Sequence, residues 1–572
     1  MTGLGGDSSR LTLKRHVVRK TPERVRTETT RLFRPLLVLV TLAAFVALVV
    51  PTIRGPHAQQ PAAPPHLSTP SSTGQKSPAA RPASTLPPLT ATDTPPAPSR
   101  TATDTPPAPS RTATDTPPFI VTAAPGGMAA SATAPAAHAP AGGEATSLPT
   151  ATPIAPTDTP VPALATSLPT ATMPMGALHT EGTRVVDAQG RTVTLATVNW
   201  YGAEGPDYIP GGLDKRPYMD ILLTIRTLGF NSVRLPFSDE LVERNPRVYE
   251  HLQANKSVVG LRALEIMDVI LDGARRAGIM VILDNHRSDA GWSALGNGLW
   301  YTQQYPESHW IADWVALATR YRDNPAVVGA DRRNEPHTNG PGTEILGLGY
   351  LRQGATWGPY QGVSNPASDW RPAAERAGNA ALRANPHLLI IVEGTEIYPR
   401  PDGAPDIYWW GGNLRGAMDY PVHLDLPGHL VYSAHEYGPR MHSQRWFTPT
   451  MGEEDWFNQF EAHWGSLLAR TGPDAAPVWI GEFGTPHYGP AQVEDTQPAS
   501  QGQWFTALVD YLKAHPSVGW SFWAINGTIS GGANARYGKP ETYGLLTPDW
   551  TRIADPLLLN KLRSIEPAQL TG

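Results

Sequence analysis

Not one of the 572 residues is cysteine. That absence removes a disulfide framework, a thiolate zinc site and a cysteine nucleophile. It leaves the compartment open, because a large core needs no disulfides. No two histidines stand four apart beside a glutamate, so no catalytic metal is expected. No Gly-rich phosphate loop follows the first β-rich run, which counts against a doubly wound nucleotide-binding sheet. Basic charge is concentrated at one end. The first 34 residues hold nine Lys/Arg and three Asp/Glu, while the whole chain carries a formal net charge of −5. An acidic body with a basic tip argues against nucleic acid as a partner.

What is present divides into four stretches. Residues 1–34 are basic, and residues 35–53 are almost wholly apolar and uncharged. That length is near the ~17–20 residues that cross a bilayer. Positive charge before it predicts a cytoplasmic N-terminus and an external C-terminus. The stretch is expected to be either a retained signal anchor, giving a membrane attachment, or a cleaved signal peptide. Residues 54–177 are rich in Pro, Thr, Ala and Ser. The eleven residues Thr-Ala-Thr-Asp-Thr-Pro-Pro-Ala-Pro-Ser-Arg at 90–100 recur at 101–111, and Thr-Ser-Leu-Pro-Thr-Ala-Thr at 146–152 recurs at 166–172. Such a composition cannot bury enough apolar surface to offset its ordering entropy, so a disordered, semi-rigid stalk is expected. Residues 178–572 carry nearly all the aromatics and suit one large barrel.

In that last stretch the pattern alternates. A short hairpin with a glycine turn at Gly190 is expected first. Eight β-rich runs follow, at 195–200, 231–236, 279–285, 326–334, 388–393, 430–435, 478–483 and 518–524, separated by helix-length segments. Residues 219–228, 374–383 and 504–513 show the helical period. This order predicts an α/β fold, a closed (β/α)8 TIM barrel. In such a barrel the strand ends on one face converge on one site.

Two of those ends lead to a glutamate. One reads Asp331-Arg332-Arg333-Asn334-Glu335-Pro336-His337, the other Trp479-Ile480-Gly481-Glu482-Phe483-Gly484. Glycoside hydrolysis needs a proton for the leaving oxygen and a second carboxylate facing the anomeric carbon. Glu335 is the candidate acid/base, Glu482 the candidate nucleophile, and Asn334 a candidate ligand of the sugar 2-hydroxyl. Arg234, inside a mostly apolar run, needs a counter-ion, and Glu482 is its natural partner. His286, His435 and Tyr437 lie at or beside other strand ends. Trp523 ends another, and a flat indole suits a sugar face. Trp200, Trp300, Trp409 and Trp410 are weaker candidates for sugar subsites, with the core as the alternative. Singly, each residue reads more simply as structure; together they close most of the strands with polar or aromatic groups.

At this point the chain resembles glycoside hydrolase family 5, the cellulase family, and most closely its bacterial endo-1,4-β-glucanases. The stretches that carry the likeness are Val198-Asn199-Trp200-Tyr201-Gly202, Ser232-Val233-Arg234-Leu235-Pro236, Ile282-Leu283-Asp284-Asn285-His286-Arg287 and Leu299-Trp300-Tyr301-Thr302. They continue through Asn334-Glu335-Pro336-His337, Asp369-Trp370-Arg371, Val392-Glu393-Gly394, Trp409-Trp410-Gly411-Gly412-Asn413-Leu414, Val431-Tyr432-Ser433-Ala434-His435 and Trp479-Ile480-Gly481-Glu482. The resemblance implies the barrel, retaining hydrolysis of β-1,4-glucan and no cofactor. It carries the acid/base role to Glu335, the nucleophile role to Glu482, and supporting roles to Arg234, His286, Asn334, His435, Tyr437 and Trp523. Related β-mannanase or xyloglucanase specificity is the alternative, as is a non-catalytic glucan-binding surface protein. The expected state is an extracellular monomer, anchored or secreted, whose partner is a β-glucan. Two local departures stand out. Arg332 occupies a position where the family usually has leucine, and residues 338–368 form a Gly-rich insertion. No cellulose-binding module is visible beside the linker.

Overall fold

The computed structural model describes residues 177–292, 296–338, 354–359, 363–402, 404–487, 493–530 and 537–567. All lie in the second of the two units into which the chain divides, Gly142–Gly572. The basic segment, the apolar stretch, the linker and most of the 338–368 insertion lie outside the described residues. Among the described residues no helix is long and apolar enough to cross a membrane.

Eight parallel strands form a closed barrel. They are β1 (Ala196–Asn199), β2 (Ser232–Ser238), β3 (Met280–Arg287), β4 (Val327–Asp331), β5 (Leu389–Glu393), β6 (Leu430–Tyr437), β7 (Val478–Gly484) and β8 (Gly519–Phe522). Each strand pairs with its sequence neighbours, and β8 closes on β1. Every β-rich run of the sequence is thus a barrel strand. One helix of the outer layer follows each strand: α1 (Tyr218–Thr227), α2 (Ala263–Ala277), α3 (Glu307–Arg320), α4 (Trp370–Ala384), α5 (Arg415–Asp419), α6 (Glu453–His463), α7 (Gln501–Ala514) and α8 (Pro556–Arg563); a further short helix, Asp239–Arg244, leaves the end of β2. Helix α2 shows the logic of the outer layer. Ala263, Ile266, Met267, Ile270, Leu271, Ala274 and Ala277 fall on one buried face, and Gly278 ends the helix in a left-handed conformation.

Side chains along a strand alternate, and the two faces here form separate cores. Val281 and Leu283 pack outward with the helices. Met280, Ile282, Val328, Leu389, Ile391, Val431 and Trp479 form a smaller inner core. Leu178, Val185 and Val193, from the segment before β1, pack on that inner core. This segment holds a hairpin of His179–Glu181 and Arg184–Val186 that turns at Gly182. The turn expected at Gly190 is present as well, closed by a bridge between Val186 and Thr192. Continuing the inner rows up the strands gives Asp284 on β3, Glu393 on β5 and His435 on β6; on β4 a register shift against β3 turns Gly329 and Asp331 inward, out of step with Val328. The inner row therefore changes from apolar to ionisable toward the C-terminal ends of the strands. That change defines the site.

Of the two arginines at β4's exit, Arg333 lies 3.6 Å from Asp239, whereas Arg332 has no ion pair among the described residues. It is fully buried, its guanidinium lies 3.8 Å from the centroid of Trp314, and its Nε and Nη1 donate to the carbonyls of Ala330 and Ala377. Its Nη2 has no hydrogen-bond partner. Burial pulls its pKa down, and Asp331 offsets this only in part. Two carbonyl bonds and a ring contact do not replace the hydration of a cation. Arg332→Leu is expected to stabilise the protein by ~1–4 kcal/mol, read as a higher thermal midpoint. An unchanged or lower midpoint would mean that the ring and carbonyl contacts outweigh desolvation.

Candidate active site

The strand ends converge around Arg234. Its Nε donates to Asp331 Oδ2 at 2.9 Å, its Nη1 to Glu482 Oε1 at 2.6 Å and to Asn199 Oδ1 at 3.1 Å, and its Nη2 to Asn334 Oδ1 at 2.9 Å and Glu393 Oε1 at 3.1 Å. Asp284 Oδ1 also lies 3.1 Å from Nη2. The expected Arg234–Glu482 pair is present, and three further buried carboxylates share the cation. Asp284, Asp331 and Glu393 had no role in the sequence reading. For Asp284 and Glu393 the signal was the alternation, each standing two residues beyond an inward isoleucine, Ile282 or Ile391; Asp331 comes inward through a register shift and had no such signal.

Glu482 reaches the site through an irregularity. The register between β7 and β8 shifts between Ile480 and Phe483. Phe483 belongs to the outer core, while a β carbon on Gly481 would stand 2.4 Å from Ser433 Oγ and 3.1 Å from His435 Nε2. Residues 481 and 482 both face inward, as a bulge allows, and this re-aims the glutamate. Tyr437 donates its hydroxyl to Glu482 Oε2 at 3.0 Å. Burial and the neighbouring carboxylates hold that phenol well above its ordinary pKa, so it stays a donor. Burial also pushes Glu482 up, while His435 and Arg234 pull it back.

Glu335 sits just beyond β4 with φ of 47°, a left-handed conformation. For a residue other than glycine this costs about 1–3 kcal/mol. Two contacts hold it there: its N–H donates to Glu393 Oε2 at 2.7 Å, and its carbonyl lies 2.7 Å from His337 Nδ1. Its carboxylate Oε1 is 3.1 Å from His435 Nδ1. Burial raises the Glu335 carboxyl, but the His435 contact outweighs it and leaves the group below its ordinary value. One ligand atom each from Glu335, His435 and Glu482 lie within 4.8 Å of one another.

His286 is half-buried, with Nδ1 2.7 Å from Asp284 Oδ2. Burial drives its pKa down to about 3, so it is neutral across the physiological range. Trp523 is half-buried and lies parallel to Tyr201 at 5.1 Å and near His286 at 5.7 Å. Trp410 is 38% exposed and stacks on His337 at 3.9 Å. Trp409 is buried, its ring 6.2 Å from Tyr437. Trp200 and Trp300 correct the sequence reading. Both are fully buried, with indole N–H groups bonded to the Gly211 carbonyl and Glu307 Oε2. Neither offers a face to a sugar; both are core.

The family model for cellulase, glycosyl hydrolase family 5, matches residues 186–528. The chain belongs to glycoside hydrolase family 5. As a family 5 protein it is a cellulase-type glycosidase. It is 39% identical to an endoglucanase of Paenibacillus polymyxa over 377 residues, covering 66% of this chain and 84% of that protein. It is 33% identical to the major extracellular endoglucanase of Xanthomonas campestris pv. campestris over 374 residues, covering 65% and 67%. Among solved structures, a cellotetraose complex of an endocellulase from Pyrococcus horikoshii superposes with a TM-score of 0.57 at 33% identity. That match covers 69% of this chain and 99% of the other.

Proposed function

We propose that this family 5 barrel is a retaining β-1,4-glucanase of the endoglucanase type, with Glu482 as nucleophile and Glu335 as acid/base. The observation that carries the reading is the short span between the two glutamates, whose oxygens approach within 4.8 Å. Retaining sites place their carboxyl groups ~5–5.5 Å apart, whereas inverting ones leave ~6.5–9.5 Å for a water. Glu482, held by Arg234 and Tyr437, attacks the anomeric carbon. Glu335 gives its proton to the leaving oxygen as that bond breaks. In the second half Glu335 takes a proton from water, whose oxygen displaces Glu482 and regenerates the carboxylate. Asn334 has its amide oxygen fixed by Arg234, which aims its NH2 group for the 2-hydroxyl. Trp523 supplies the stacking face for the sugar ring.

The named activities of the relatives favour glucan as substrate. The basic and apolar N-terminal stretches favour a position outside the cell, at the end of the 54–177 linker, attached through 35–53 or released by its cleavage. Reducing-sugar release by the full chain from soluble β-1,4-glucan, mannan and xyloglucan tests the substrate. Proton NMR of the first product tests the stereochemistry. Glucan is expected to be cut fastest, with the β anomer appearing first. Preference for mannan or xyloglucan would replace the substrate assignment, and an α anomer first would end the retaining one.

A further inference from the structure

We propose that Glu393 is a positioning residue for the acid/base step: it fixes the backbone of Glu335 and, as counter-ion of His435, sets the pH range in which Glu335 and Glu482 work together. The inference rests on the roles proposed above for those two glutamates. Glu393 is fully buried and ends β5. Its Oε2 accepts the Glu335 N–H at 2.7 Å, which holds the left-handed residue in place. Its Oε1 accepts from Arg234 Nη2 at 3.1 Å. Above it lies Gly411, with φ of 68°. A β carbon there would come 2.5 Å from Glu393 Oε2, 3.3 Å from Glu335 Cα and 3.4 Å from the His435 ring. Backbone thus closes over the group, and only glycine permits that approach.

His435 is the link to the chemistry. Its Nε2 lies 3.2 Å from Glu393 Oε1, within ion-pair range though outside hydrogen-bond geometry. Its Nδ1 lies 3.1 Å from Glu335 Oε1 and 3.7 Å from Glu482 Oε2. Both ring nitrogens face carboxylate oxygens, an arrangement that suits the doubly protonated imidazolium. The other ionisable groups acting on the pair are Arg234 from β2, Asp284 from β3 and Asp331 from β4. Burial pushes Glu393 up, and His435 and Arg234 draw it back. Two hydrogen-bond donors already occupy its oxygens, so the proton shared by the Glu393–His435 pair belongs on the imidazole. The three carboxylates hold that imidazolium well above its ordinary pKa. The charge so kept lowers Glu335 and restrains the rise of Glu482.

Glu393→Gln removes the anion behind His435, and the imidazolium gives up its proton more readily. A neutral His435 no longer holds either glutamate down, so both titrate higher. In the profile of kcat/KM against pH, the two limbs report the Glu335–Glu482 pair as a unit, active with a single proton between them that sits on Glu335 in the productive form. Both limbs are expected to move up by roughly one pH unit. A purely structural role for Glu393 would lower activity or stability and leave the limbs in place, so limbs superimposed on the parent's overturn the proposal. Should the variant fail to fold, nitrogen-15 NMR of the unaltered protein decides. His435 is expected to be protonated on both nitrogens at neutral pH, and a neutral ring there overturns the proposal equally. The roles of Glu335 and Glu482 are read separately, from the anomer of azide products. Failure of the Glu393 inference therefore leaves those assignments standing, and failure of the assignments shows in the azide products alone.

Discussion

Glu482→Gly is expected to lower turnover of β-glucan by ~10⁴-fold or more, the scale on which loss of a covalent nucleophile is felt. The variant should still fold. Arg234 loses one partner but keeps Asp331, Glu393 and Asp284 within 3.1 Å, so no uncompensated cation is left. The glycine leaves a space of carboxylate size on the face opposite the leaving group. Azide added to an aryl β-cellobioside with a dinitrophenolate leaving group should occupy it and restore part of the rate, giving an α-glycosyl azide. Glu335→Ala should behave differently with the same reagents. That leaving group needs no proton, so the covalent intermediate forms and accumulates. Azide then displaces Glu482 from the other face and gives a β-glycosyl azide. On unactivated glucan the same variant should fall by ~10²–10⁴-fold. Opposite anomers from the two variants assign both roles at once. The same anomer from both, or near-normal activity in Glu482→Gly, would sink the assignment.

The barrel was legible because its strands are buried on both faces. Runs such as 279–285 and 388–393 are apolar nearly throughout, and the helices between them repeat with the 3.6 period. The outer ring of the site was legible for a related reason. Arg234, His286, His435 and Tyr437 are polar residues in or beside otherwise apolar runs. The inner ring was not. Asp284 stands beside the more conspicuous His286 and Asp331 near Glu335, while Glu393 ends its run with no second polar group to mark it, and the sequence does not say that Arg234 reaches all three across the barrel. The bulge at residues 481–482 was equally hidden, since strict alternation would send Phe483 inward in place of Glu482. Trp200 and Trp300 stayed open between subsite and core because an indole at a strand end or in a following loop suits a sugar or a core alike. Only burial separates the two, and burial depends on what packs over the ring.

Arg234→Lys keeps the charge and removes the geometry, and it is expected to lower kcat/KM by ~10²–10³-fold with a markedly lower thermal midpoint. The guanidinium sends Nε to β4, Nη1 to β1 and β7, and Nη2 to β5 and the Asn334 loop. A lysine ammonium is one point with three donors on a flexible stem. It reaches at most part of that set. Whichever carboxylates it abandons are buried in a cluster where burial already pushes Asp284 and Asp331 up to about 6. These groups would take up protons and fold more weakly. Breaking a buried pair in this way costs about 3–5 kcal/mol. The loss should ease as pH falls. The guanidinium tempers the rise of both carboxyls; without it they titrate higher still. Protonation then removes the unpaired charge, and the gap in stability between variant and parent should narrow as pH falls toward about 6, where the parent's own carboxyls take up protons. Catalysis should not recover in parallel, because Glu482 needs Nη1 to stay ionised and Asn334 needs Nη2 to stay aimed. Thermal midpoint and kcat/KM measured across the same pH range would therefore diverge. If the two instead recover together, Arg234 serves the fold alone and the nucleophile is held by Tyr437 and His435 without it.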